Sequence, residues 1–286
     1  MGYDIEKEGE FRHSDYDFIK SLDSGFYKIQ DKRGGYIFIK NDVVSDDLSD
    51  IGNELNEFYS DINLFIEKEK DYKKYNLIHK RGYFLYGPPG TGKTSISHLI
   101  AKNFIKKTNG LVITINDEYE LEFCISVLKK EEERYICFLI EDCENVINTP
   151  RVLSILDGQN SISNTIFIAT TNYKEQLPPR IVNRRGRFDI IRYIPCLSKV
   201  TQKNYLLSLL RRDSKIKDSE KIADEIVNAF SDSSVVISTL KEIFILHVIM
   251  GKSLSDIKET LSKCNNENDG QYEESPSQDN TADNND

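Results

Sequence analysis

The chain has 286 residues, 38% of them hydrophobic and 30% charged, a balance that suits one large soluble domain or two modest ones. No run of about 18 apolar residues occurs, which argues against a membrane span, and the mixed acidic start MGYDIEKEGEFRHSDYD has neither the form of a signal peptide nor that of a transit peptide. The net charge of −9 is concentrated in residues 265–286, which hold seven acids and no lysine or arginine. The remainder is close to neutral, which argues against a long basic face for nucleic acid.

In chain order, two short β-prone runs in GFYKIQDKRGGYIFIK flank residues 31–35 and predict a hairpin. Leu48, Ile51, Leu55, Phe58, Ile62 and Phe65 then recur at helical spacing and predict one apolar helix face that packs on the following domain. Residues 83–86, 111–116, 135–141, 165–170 and 190–193 are apolar runs, most without in-out alternation, separated by helical stretches. That pattern predicts an α/β fold with a parallel five-stranded sheet and helices on both faces. Helices are expected over 201–212, 220–230 and 235–250, with no strand among them. The expected division is an N-terminal hairpin and amphipathic helix (1–72), an α/β domain (73–196), a small all-helical domain (197–263) and a disordered acidic tail (264–286). Such a tail solubilises the chain or binds a partner. The five cysteines, Cys124, Cys137, Cys143, Cys196 and Cys264, have no C-x-x-C spacing and are expected to be reduced thiols in the cytoplasm.

The strongest chemical signal is GPPGTGKT at residues 87–94, which follows an apolar strand and opens an amphipathic helix. It satisfies G-x-x-x-x-G-K-[ST] in the strand–loop–helix context that motif requires. Backbone N–H groups wrap a phosphate chain only where side chains do not obstruct them, which explains Gly87, Gly90 and Gly92. The expected nucleotide-binding residues are Gly87, Pro88, Pro89, Gly90, Thr91, Gly92, Lys93, Thr94 and Ser95. Lys93 supplies a charge to the β- and γ-phosphates, and Thr94 a hydroxyl ligand to Mg2+. ATP and Mg2+ are therefore the expected substrate and cofactor.

The run YICFLIEDCE ends a predicted strand in Glu141 and Asp142. Ligands of parallel sheets collect at the carboxyl ends of strands. Two acids there divide the work: one anchors the metal, and the other orients or deprotonates water.

Taken together, these stretches resemble the AAA+ ATPases, a P-loop NTPase fold with a small helical lid. The usual order at the acid pair is Asp then Glu. The resemblance gives Glu141 the metal role, beside Thr94, and Asp142 the water-activating role, with a carboxylate one methylene shorter than usual. NTIFIATTN ends in Asn172, similar to the residue that senses the γ-phosphate. SILDG (154–158) resembles a structural helix end. LPPRIVNRRGRFD resembles the stretch whose arginines, here Arg184 and Arg187, point into a neighbour's nucleotide; a basic surface turn is the alternative. The resemblance implies a homo-oligomeric ring of about six copies. SDSSVVISTL has no arginine where some clades carry a sensing one, which fits the AAA clade proper. The stretch DYKKYNLIHKRGYFLYGPPGTGKTS, the Glu-Asp order and LDG are most similar to the AAA family of mitochondrial complex III assembly factors and its soluble bacterial and viral relatives.

Tyr119 and Phe123 lie where many unfoldases carry an aromatic–aliphatic–glycine pore loop, but neither has a glycine beside it. A local packing role is the expectation for Tyr119, with a pore role as the alternative. The leading expectation is an ATP-hydrolysing AAA oligomer that remodels or moves a macromolecular partner, a protein of unknown identity. The alternatives are an ATP-gated scaffold with little turnover and a nucleic-acid-dependent ATPase.

Overall fold

Strands that are apolar on both faces need cover on both sides, and the computed structural model places them at the centre of a sheet flanked by helices. The structure describes residues 2–7, 10–14, 21–32, 35–41, 54–131, 133–159, 161–182, 184, 186–230 and 235–269. Its strands are β1 (Gly2–Lys7), β2 (Glu10–Ser14), β3 (Gly25–Asp31), β4 (Tyr36–Lys40), β5 (Lys80–Tyr86), β6 (Leu111–Thr114), β7 (Ile136–Ile140), β8 (Thr165–Thr171) and β9 (Ile190–Tyr193). The expected parallel core is present in the order β6-β7-β8-β5-β9.

The sheet continues beyond those five strands. β3 runs parallel to β6, with Phe26 opposite Val112, and β4, β2 and β1 follow antiparallel, giving the order β1-β2-β4-β3-β6-β7-β8-β5-β9. The predicted hairpin exists as β3–β4, but it is an extension of the central sheet. Without β3, the β6 edge would present a row of unpaired backbone groups. The Ser24 hydroxyl and the Gly25 amide both donate to the Gly110 carbonyl, at 3.0 and 3.4 Å, which anchors the start of β3 beside β6.

The helices are α1 (Glu54–Glu67), α2 (Glu69–Lys74), α3 (Lys93–Thr108), α4 (Glu118–Leu128), α5 (Pro150–Leu156), α6 (Pro179–Val182), α7 (Lys199–Leu210), α8 (Ser219–Ala229), α9 (Ile237–Phe244) and α10 (Leu254–Asp269). Alternate residues of a strand serve opposite cores. In β7, Ile136, Phe138 and Ile140 pack with α4, α5 and the hairpin, while Cys137 and Leu139 pack with α1, α3 and the C-terminal helices. The α1 stripe of Leu55, Phe58, Ile62 and Phe65 is buried in the second core; Leu48 and Ile51 of the same pattern lie outside the described residues. Asp61 ties α1 to β5, accepting from Arg81 Nε at 3.0 Å, Arg81 Nη2 at 2.7 Å and the Tyr83 hydroxyl at 2.7 Å.

In the C-terminal region, the single helix expected over 235–250 is α9 followed by a π-helical turn, Ile245–Ile249. α10 continues to Asp269, past the expected start of the tail at 264, and residues 270–286 lie outside the described residues. Cys124, Cys137 and Cys143 are buried free thiols whose pKa values burial raises. Among the described residues, no helix is long and apolar enough to cross a membrane.

Candidate active site

The phosphate-loop segment joins β5 to α3, and its backbone needs residues without a Cβ. At Gly87, φ is +155° and a Cβ would sit 2.2 Å from the Ile194 carbonyl oxygen. At Gly90, φ is +76° and a Cβ would sit 2.3 Å from Ser238 Oγ. Gly92 caps α3 in the left-handed region and offers it no side-chain cap. The first N–H groups of α3 thus keep their capacity for an anion, at the positive end of the helix dipole.

Lys93 is buried, and its ammonium donates to the carbonyls of Gly87 and Pro88, both at 2.8 Å. Burial lowers its pKa, opposed by the charges of Asp142 and Glu144. The Thr91 hydroxyl donates to the Pro88 carbonyl at 3.0 Å and braces the loop from within.

A cavity of about 370 Å³ lies over this loop. Pro89, Gly90, Gly92, Lys93, Thr94 and Ser95 line it from below, Asp142, Thr170 and Asn172 from the strand ends, and Ile237, Ser238 and Lys241 from α9. Gly87, Pro88 and Thr91, grouped with them from the sequence, do not line this cavity; they shape the loop and hold Lys93. The stretch SDSSVVISTL, which lacks an arginine, carries no local signal for the contribution of α9: the Ser238 amide donates to the Gly90 carbonyl at 3.3 Å and seats the helix on the loop.

The acid pair follows β7 directly. Asp142 has φ +43° and ψ +56°, the left-handed conformation that Asp tolerates better than most residues. The two carboxylates have different neighbours. Asp142 Oδ1 accepts from Asn172 Nδ2 at 3.2 Å. Glu141 Oε1 lies 3.7 Å from Nε2 of His98, which is one turn beyond Thr94 on α3. That oxygen is buried without a hydrogen-bond partner. Burial lowers the His98 pKa, and the Glu141 carboxylate opposes the shift. Asp142 therefore belongs to the Asn172 side of the site and Glu141 to the α3 side.

Glu144 is a third acid, two positions after Asp142, with no sequence signal that marks it as part of the site. It accepts a hydrogen bond from the Thr171 hydroxyl. Thr171 Oγ1 in turn accepts from the Tyr173 amide at 2.9 Å.

The two arginines part company. Arg187 is 3% exposed. Its Nε and Nη2 donate to Asp157 Oδ1 and Oδ2 at 2.8 and 2.9 Å, and its Nη1 donates to the Arg180 carbonyl at 2.7 Å. The expectation that Arg187 points outward is corrected: its donors are engaged within its own chain, on the aspartate of the Leu-Asp-Gly segment. The bidentate fork holds the Asp157 pKa below its usual value. Arg184 has a 60% exposed side chain and one contact to Asp157, Nη1 to Oδ2 at 3.2 Å. Elsewhere, Tyr119 at the start of α4 is exposed but carries the Arg151 guanidinium 5.4 Å from its ring centroid.

Residues 83–196 match the family model described as "ATPase family associated with various cellular activities (AAA)". Similar curated proteins include an "AAA ATPase forming ring-shaped complexes" of Corynebacterium diphtheriae, 24% identical over 263 residues, covering 78% of this chain and 51% of that protein. AAA-ATPase At3g50940 of Arabidopsis thaliana is 32% identical over 168 residues, covering 51% and 37%. A proteasome-activating nucleotidase of Methanococcus vannielii is 27% identical over 177 residues, covering 53% and 42%. The chain spans about half, or less, of the length of these relatives.

Proposed function

We propose, from the match of residues 83–196 to the AAA ATPase family model, that the chain binds ATP with Mg2+ and hydrolyses it as one subunit of a homo-oligomeric ring that remodels or moves a macromolecular partner. The observation that carries the reading is the convergence of Lys93, Thr94, Asp142 and Asn172 on one cavity closed by α9. The loop amides and the α3 N-terminus bind phosphate oxygens. Lys93 exchanges the Gly87 and Pro88 carbonyls for the β- and γ-phosphates. Thr94 and Glu141 would hold the metal. Glu141 does not line that cavity, but its Oε1, buried on the α3 side without a hydrogen-bond partner and 3.7 Å from His98 Nε2, is a hard oxygen donor suited to such a cation. When bound, Mg2+ neutralises charge developing on the transferring phosphoryl oxygens. Asp142 orients the attacking water and takes its proton, and the Asn172 amide keeps that carboxylate aimed.

Arg184 is the arginine available to a neighbouring copy. It is exposed and tethered by one contact, and a guanidinium fork suits the spread charge of the transferring phosphoryl group. The ring reading is supported by the relative named for ring-shaped complexes. The Glu141–Asp142 order and the Leu156-Asp157-Gly158 segment support kinship with the complex III assembly clade. A cytoplasmic location is part of the same proposal.

The test is phosphate release per subunit as a function of protein concentration, with oligomer size followed by sedimentation. Specific activity should rise as oligomers form and should fall when Arg184→Ala subunits are mixed in. Activity per subunit that stays constant down to the monomer would refute the shared site. A second reading, an ATP-gated scaffold with little turnover, is favoured by the short Asp142 carboxylate already bonded to Asn172. Oligomer size that depends on nucleotide, without phosphate release, would establish it instead.

A further inference from the structure

The carboxyl end of β8 is joined to the turn after β7 by two consecutive links. Thr171, fully buried, donates through Oγ1 to Glu144. Asn172 donates through Nδ2 to Asp142 Oδ1 at 3.2 Å. The Tyr173 amide, donating to Thr171 Oγ1 at 2.9 Å, closes the chain tightly around Asn172 on its far side. Asp142 and Asn172 line the nucleotide cavity, whereas Glu144 and Thr171 do not. The outer link therefore lies outside the cavity, directly beside the pair that lines it.

We propose that Glu144 and Thr171 are positioning residues: their hydrogen bond holds Asn172 and Asp142 at the separation needed for water activation, and so governs the rate of hydrolysis and not the affinity for ATP. The proposal rests on the hydrolase reading above. Its physical basis is the steep dependence of proton transfer and in-line attack on placement, since an error near 1 Å at the reacting atoms costs about 100-fold. Without the Thr171 hydroxyl, both Glu144 and the Tyr173 amide lose a partner, and the loop that carries Asn172 is free to move away from β7. The negative charge of Glu144 also acts on Lys93, opposing the effect of burial there, which places it within electrostatic reach of the phosphate site.

The experiment is steady-state ATP hydrolysis by the full chain, its Thr171→Val, Thr171→Ser and Glu144→Gln variants, and Thr171→Val combined with Asp142→Asn. Valine keeps the shape of threonine and removes only the hydroxyl. Thr171→Val should lower kcat by roughly 30- to 100-fold while KM for ATP changes by less than about threefold. Thr171→Ser, which restores the hydroxyl, should recover kcat to within about threefold of wild type. Glu144→Gln keeps an acceptor for Thr171 and should lose less than Thr171→Val. In the Asp142→Asn background, Thr171→Val should add almost nothing, because the strut acts through Asp142 and Asn172. Near-UV circular dichroism checks the fold, and if Thr171→Val does not fold, Thr171→Ser and Glu144→Gln still carry the comparison of kcat with KM.

Equal turnover by wild type and Thr171→Val overturns the strut alone. So does a loss that serine does not repair, or one that appears in KM. A wild-type chain that binds ATP but releases no phosphate overturns the hydrolase reading and the strut with it.

Discussion

Arg187→Met separates the roles of the two arginines. The native side chain is 3% exposed and makes three hydrogen bonds, two to the Asp157 carboxylate and one to the Arg180 carbonyl. Methionine fills much of the space of the aliphatic stem but leaves both acceptors without their donors. Breaking a buried ion pair by removing one partner costs about 3–5 kcal/mol. Here Arg184 Nη1 remains 3.2 Å from Asp157 Oδ2 and takes over part of the charge, so the lower end of that range, about 3 kcal/mol, is expected. For a chain of this size that corresponds to a fall of roughly 6–12 °C in the melting midpoint. Arg184→Ala removes an exposed contact and should change stability by less than about 0.5 kcal/mol. If Arg184 completes a neighbour's site, the same change should cut turnover by about 1,000-fold or more. Thermal melts by circular dichroism, run beside phosphate release on the same preparations, read both effects. An Arg187→Met variant that melts with wild type yet loses turnover would refute the intrachain role, and an Arg184→Ala variant that turns over normally would refute the trans role.

Asp142→Asn should keep ATP bound while lowering hydrolysis by about 100-fold or more, read as retained nucleotide after gel filtration; unchanged hydrolysis would move the water-activating role to Glu141. Gly90→Ala forces a Cβ to within 2.3 Å of Ser238 Oγ and 2.9 Å of Val236 Cγ2 at φ +76°. The conformational strain alone is about 1–2 kcal/mol, so ATP should bind about tenfold more weakly in a fluorescent-nucleotide titration. The ion pair of Asp157 has a definite acid limb. Its folded pKa lies below the usual 3.8, so its stabilisation is complete above that value and is lost as pH falls through the lower folded value. The melting difference between wild type and Arg187→Met should therefore shrink as pH drops below 3.8 and stay constant from there to neutrality.

Much of the chemistry was legible because it is local in the chain. The glycines of residues 87–92 carry their left-handed backbone as a residue-level property, and the strand–loop–helix context places the N-terminus of α3 beside them. The core strands were legible because burial on both faces leaves uninterrupted apolar runs. The α1 stripe was legible because its spacing repeats with the turn of a helix. Asp142 was found as an acid at a strand end, but its positive φ was not, since Asp adopts that conformation only where the surrounding turn demands it. Glu144 was passed over because an acid in a turn ordinarily faces water, and nothing nearby in the sequence announces the buried Thr171 hydroxyl, 27 residues away, that binds it.

The residue order of this protein by itself determined a glycine-rich loop between strand and helix, an acid pair at a strand end and the parallel sheet that positions both. Only the tertiary structure decided that the hairpin joins that sheet at β6, that α9 seats on Gly90, and that Arg187 is spent on Asp157 while Arg184 is left exposed. The reason is physical: backbone conformation and periodicity arise between neighbours a few bonds apart, whereas the choice among equally suitable sheet edges and carboxylates depends on distances that exist only once the chain has packed.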